Sequence, residues 1–274
     1  MKMVKKVLMG LAVIAMAFSF VGCIPQVDDS EGAISGSNGK YSINYKNEST
    51  SDKYRAYKST AMDHAGALVK VTFNDTDCGT SKMGVIFDLH NVDKKDESKG
   101  KDFYIIGLGA NRTGHNFYVS KFTNVTDLQA INFGAPDPES SNYKAPAAGE
   151  PKEECIVGLT KGADLTLPAL EDGKLSMYVY FKAFKDGYYE YAVLTMSDNT
   201  AKGIKKLDDF SLSALPAGVT KLYGNKIEGA FTAVKDDKSV PQNKIAVYAM
   251  VQPNETLDGS WNFAADYLEA EDAE

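Results

Sequence analysis

From residue 67 onward the chain is a succession of short segments rich in β-branched and aromatic residues, and none of it holds a helical stripe beyond a turn or two. ALVKVTF (67–73), KMGVIFDLH (82–90), DFYIIGLG (102–109), FYVSKF (117–122) and LQAINFG (128–134) come first. CIVGL (155–159), KLSMYVYFKAF (174–184), YYEYAVLTM (188–196), KIAVYAMV (244–251) and WNFAADYLE (261–269) complete the series. Clusters of Gly, Asn, Asp and Pro part them, as they part strands joined by hairpins and loops. Such segments cannot bury their apolar side chains by packing helix on helix. The remaining solution is sheet on sheet, so the expected fold is all-β: a two-sheet antiparallel β-sandwich forming one domain over 40–274. The Pro-rich PDPESSNYKAPAAGEPKEE (136–154) reads as a long excursion over the surface.

One hairpin can be read in detail. FKDGY (184–188) sets Asp-Gly between two strand-like runs, the signal of a two-residue type I′ turn. That turn would place Phe184 opposite Tyr189, Lys182 opposite Tyr191 and Tyr180 opposite Val193. Tyr178, Tyr180, Phe184, Tyr189 and Tyr191 would then share one face, away from Met177, Val179, Phe181 and Leu194. A tyrosine offers a flat apolar body to the C–H face of a sugar and a hydroxyl to hydrogen-bond it. This aromatic face is the expected ligand platform. Core packing is the competing use, because Tyr is also a strong strand former.

The start of the sequence has a separate logic. Lys2, Lys5 and Lys6 precede the uncharged run Val7 to Gly22, the layout of a secretory signal over 1–22. The run is slightly short of the roughly 20 residues a spanning helix wants. Phe20-Val21-Gly22-Cys23 resembles the lipobox of bacterial lipoprotein precursors, with Phe20 where that family usually has Leu. The resemblance implies that Cys23 is lipidated, palmitate among its chains, and becomes the first residue of an exported protein held on the cell envelope. Ile24 supplies no acidic retention signal, which points to the outer membrane or cell surface. Residues 24–39, rich in Ser, Gly, Asp and Asn, read as a flexible tether.

Charge and cysteines narrow the partners. The chain carries −7, and removing three signal lysines with no acids lowers that to about −10. Arg55 and Arg112 are its two arginines. An acidic chain so poor in bidentate phosphate readers is not expected to bind nucleic acid. In an oxidising compartment Cys78 and Cys155 can form a disulfide closing a loop of about 77 residues, worth about 4–5 kcal/mol in chain-entropy terms. They can equally remain two buried thiols.

The order of segments adds a second resemblance. A strand ending at Phe73, then MGVIFDL, KDFYIIGL, a tight turn and HNFYVSKFTNV, with KIAVYAMV and WNFAADYLEA last, is similar to the concanavalin A-like and laminin-G-like jelly rolls. The likeness covers roughly 55–269. It implies two curved sheets, binding of carbohydrate or protein on the concave sheet or its rim, and in some branches glycoside cleavage. Cleavage needs two carboxylates facing one bond. The acids at that spacing, Glu269, Glu271, Asp272 and Glu274, crowd the very end of the chain, where preorganisation is poor. No catalytic set is therefore expected. GLGANRTGH (107–115) lacks the Lys-Ser/Thr of a phosphate loop and leads into a strand, so it reads as a hairpin turn. His64, His90 and His115 each stand alone and read as surface or loop residues. NDTDCG (74–79) and DKKDE (93–97) hold oxygen ligands that could seat a structural Ca²⁺ but read first as solvated turns. The function expected from all this is a membrane-anchored binding domain for a glycan or a partner protein. The alternatives are a structural subunit of a surface complex and, more remotely, a glycoside-cleaving enzyme.

Overall fold

The computed structural model describes residues 33–110, 115–128, 131, 152–160, 165–207, 210–235 and 238–267. In chain order the strands are β1 (Ile34–Ser37), β2 (Lys40–Lys46), β3 (Tyr54–His64), β4 (Gly66–Phe73), β5 (Lys82–Asn91), β6 (Lys101–Leu108) and β7 (His115–Val125). They continue as β8 (Lys152–Thr160), β9 (Leu175–Phe184), β10 (Tyr188–Thr195), β11 (Thr220–Ile227), β12 (Asn243–Val251) and β13 (Thr256–Tyr267). A short helix α1 (Asp198–Gly203) follows β10. One antiparallel sheet runs β1-β2-β13-β4-β9-β10-β11, the other β3-β12-β5-β6-β7-β8. The fold is an antiparallel β-sandwich.

Period-two alternation builds the core between the sheets. Val69, Val71 and Phe73 of β4, Met177, Val179 and Phe181 of β9, and Val85 and Phe87 of β5 all turn into it. Phe87 stacks on Phe181 across the gap, ring centroids 4.5 Å apart. Trp261 of β13 is fully buried and donates its indole N–H to the Gly84 carbonyl of β5 at 3.0 Å, a hydrogen bond from one sheet to the other. The six-stranded sheet is buried on its outer face too. Tyr57, Ile86, Phe103, Ile105 and Tyr248 there pack with Leu128 and Ile131, and the Ile131 carbonyl accepts from the Tyr248 hydroxyl and the Arg55 Nε.

Four strands lie outside the expected series. β11 is a lysine-bearing edge strand with little burial, and β2 and β3 carry polar residues at every second position or so. β1 falls inside the expected tether. Ile34 is buried in the core, and Ser37-Asn38-Gly39-Lys40 closes a hairpin with Asn38 and Gly39 at φ 52° and 75°. Asn-Gly here is the type I′ signal that the polar composition of 24–39 disguised. Of the LQAINFG segment, Leu128 and Ile131 are described and neither belongs to a strand; the rest lies outside the described residues.

The two thiols are separate, so of the two open readings the Cys78–Cys155 bond does not hold, and of two free thiols one is buried and one exposed. Cys78, on the connection from β4 to β5, is sealed into the core. Cys155 is exposed on β8, opposite Ser120, at the edge of the sheet three strands from β5. Burial pushes the Cys78 thiol up to about 11, whereas reactivity requires the thiolate. In a Cys23→Ser protein without reductant, a thiol reagent should therefore titrate one group at native pH 8 and two after denaturation. Finding none in the denatured protein would restore the disulfide.

Candidate functional site

The β9–β10 hairpin is shifted by one residue from the sequence expectation. Phe184 pairs with Tyr188, Ala183 with Tyr189, Phe181 with Tyr191 and Tyr180 with Ala192. The connection is the three residues Lys185-Asp186-Gly187, with Gly187 at φ 91° and its N–H on the Phe184 carbonyl at 2.9 Å. Asp186 is not left-handed, so no type I′ turn forms. The turn is instead held by 231–234, whose Val234 N–H reaches the Lys185 carbonyl at 2.8 Å.

A one-residue shift exchanges faces. Tyr189 and Tyr191 point into the core with Val179 and Phe181. Burial raises both hydroxyl pKa values, and the hydroxyls bond Asp88 and Tyr223 respectively. Tyr178 and Tyr180 point outward, but Ala201, Ile204, Leu207 and Phe210 close over them and over their sheet neighbours Leu68, Ala192 and Leu194. Ser197 caps α1 at the start of this cover, its Oγ accepting from the Thr200 N–H. Phe184, half-buried, stacks on Tyr188 at 4.9 Å. The five expected residues therefore form no single platform, and four of them are buried. Tyr178 lines the edge of a cleft.

Beyond the cover, the outer face of the seven-stranded sheet is polar and open. In register across it run Ser35, Ser42, Ser260, Thr72 and Ser176, one from each of β1, β2, β13, β4 and β9. The hydroxyls of Ser35 and Ser42 lie 3.0 Å apart, as do those of Thr72 and Ser176. Strand spacing sets the pitch of the row at about 4.8 Å. A parallel row holds Lys40, Asn262, Lys70 and Tyr178.

One cleft adjoins the second of these rows and another lies beside it. The larger, about 480 Å³, lies between the β1–β2 turn, Lys58 to His64 of β3, and Phe263. The smaller, about 260 Å³, lies between Lys70, Tyr178 and Asn262 on the sheet and α1 with Lys205 after it. Lys205, Phe263 and Ala264 line both, so the clefts are neighbours that share a wall. A bulge in β13 after Phe263 shapes the junction, and the Phe263 N–H is fixed to the Gly39 carbonyl at 2.8 Å. Asp198 accepts from Lys70 Nζ at 2.6 Å and from the Tyr178 hydroxyl at 3.0 Å. Lys70 first, then Tyr178, holds that carboxyl below the usual carboxylate range.

The remaining expected sites are accounted for more simply. Asp75 and Asp93 accept from the N–H groups of Asp77 and Lys95 in their own turns, and Asp93 also pairs with Lys99. Among the described residues no group of three His, Cys, Asp or Glu is placed to hold a metal ion. His64 is buried at the end of β3 rather than on the surface, and His90 lies beside Asp88. Cys23 and the acids from Glu269 onward lie outside the described residues. The open polar face went unread in the sequence although its signal is there: KYSINYK and LDGSWNFA alternate small polar with apolar residues.

The sequence matches no protein-family model and no curated protein. Among solved structures the chain is similar to a legume lectin-like domain from Entamoeba histolytica, at 10% identity and TM-score 0.36, covering 85% of this chain and 86% of that one. It is also similar to a functionally unknown protein from Saccharomyces cerevisiae, at 10% identity and TM-score 0.31, covering 84% and 88%. A third is the CBM2 module of the evolved Dit of Lactobacillus casei phage J-1, at 8% identity and TM-score 0.34, covering 86% and 82%.

Proposed function

We propose that this protein is an exported, lipid-anchored binding domain that recognises a glycan on the open outer face of its seven-stranded sheet. The observation that carries the reading is the strand-spaced row of hydroxyls on an open face, beside a parallel row whose Asn262 and Lys70 line the smaller of two neighbouring clefts. Side-chain hydroxyls and amides both donate and accept, which suits a ligand whose own groups are hydroxyls. Phe263 adds aromatic surface for a sugar's C–H face. The larger cleft falls within the ordinary size of a small-molecule site. A protein partner would be better served by an apolar centre, and the face is polar. The anchor rests on the basic and apolar run before Cys23.

A glycan array probed with the full-length protein in non-ionic detergent tests the binding. We expect Asn262→Ala with Thr72→Ala to weaken the strongest glycan by roughly 1–3 kcal/mol while the denaturation midpoint stays put. An array without a binder, or a double variant that binds as well as the parent, refutes the reading. Cys23→Ser should move the protein from the detergent phase to the aqueous phase, because anchoring depends on the acyl chains.

A further inference from the structure

The charge lining the clefts runs against that of the chain. Acids outnumber bases 37 to 30 in the whole sequence. The described lining of the two clefts holds Lys58, Lys70, Lys202 and Lys205 but a single carboxylate, Asp198, and that one is occupied by Lys70. The three other lysines reach these neighbouring clefts from different elements, Lys58 the larger, Lys202 the smaller and Lys205 both. Lys58 comes from β3, on the same inward face as the core residue Ala56, and emerges into the cleft only because β3 is an edge strand. Lys202 lies in the last turn of α1, and Lys205 stands after it on the wall shared by both clefts. Like charges gathered around adjoining concavities repel each other, and clefts with low-dielectric walls focus their field outward on a counter-charge.

We infer that the ligand is an acidic glycan, one whose carboxylate or sulfate groups enter the clefts beside Lys58, Lys202 and Lys205 while its neutral hydroxyls lie along the Ser/Thr row. The assignment rests on the glycan reading above and names the class of glycan. The hydroxyl row supplies no charge discrimination, so preference for an acidic over a neutral sugar must come from the lysines. An inward lysine on an edge strand also discourages strand-to-strand association. That role alone would leave ligand binding indifferent to Lys58.

The test uses full-length protein in non-ionic detergent against a panel of uronic-acid and sulfated oligosaccharides. Each is paired with its neutral counterpart, methyl-esterified or desulfated. The best acidic member should bind at least about tenfold more tightly than its neutral form at 50 mM salt, as charge-assisted hydrogen bonds outweigh neutral ones. The gap should close at 0.5 M salt, where the Debye length is only about 4–5 Å. Lys58→Gln with Lys205→Gln should remove most of the preference, bringing the affinity of the acidic form close to that of the neutral form, and leave the melting temperature unchanged. Equal binding of the acidic and neutral forms, or an acidic preference that survives the double variant, overturns this inference while leaving the glycan reading intact. Binding of no saccharide at all overturns both. Vesicles containing phosphatidylglycerol serve as the remaining arm. Lysine-dependent binding to them that exceeds every oligosaccharide would assign the clefts to a lipid headgroup and overturn the proposal.

Discussion

Tyr180→Ala is expected to lower folding stability by about 3–5 kcal/mol, the usual cost of truncating a fully buried aromatic. The ring lies on the outer face of the seven-stranded sheet, yet its exposure is 0% because the segment after α1 is folded over it. Phe210 packs on the ring at 4.6 Å, and the Phe210 carbonyl accepts from its hydroxyl at 3.2 Å. Tyr180→Phe keeps the packing and removes only the hydroxyl, which also approaches Glu190 Oε2 at 3.5 Å. It should cost about 1–2 kcal/mol. Urea denaturation of both variants measures the difference. If the ring instead carried ligand on an open platform, Tyr180→Ala would weaken binding and leave the midpoint nearly unmoved. Affinity of the folded fraction for its glycan should be unchanged, because the cover excludes ligand from this half of the face.

Trp261→Ala should be comparably severe, about 3–5 kcal/mol, and for a different reason. The residue is the chain's single tryptophan and sits in the gap between the sheets. Alanine would open a cavity that two sheets on rigid ladders cannot collapse to fill, and would leave the Gly84 carbonyl without the indole N–H. Trp261→Phe separates the two effects. It retains most of the ring volume and loses the hydrogen bond, for an expected cost of about 1–2 kcal/mol. Intrinsic fluorescence follows unfolding directly, since a single indole reports it. Native emission at the wavelength of a solvated indole would contradict the burial on which the prediction stands.

The sandwich itself was legible in the sequence. Alternation in MGVIFDL, KDFYIIGL and KIAVYAMV determines which side chains can enter a core, and Gly, Asn and Asp between them determine that the strands turn back. Both are local properties, set by the two-residue period of a strand and the few residues that tolerate left-handed backbone. The Asn38-Gly39 hairpin obeyed the same rule and was equally readable, although its setting in a polar stretch resembled a linker. What Asp186-Gly187 would do was not decided locally. Contacts from 231–234 selected a three-residue turn, and that one residue moved Tyr189 and Tyr191 from the outer face to the core. The cover over Tyr178 and Tyr180 is likewise a long-range choice, since nothing in SMYVYF distinguishes a tyrosine under Phe210 from one facing solvent. The clefts exist because β3 and the β1–β2 turn, far apart in sequence from Lys205 and Phe263, meet them at the open edge of the two sheets. Sequence by itself determined the alternation and the class of fold. Tertiary structure alone decided which polar face stayed open, because burial is settled by whichever distant segment packs there.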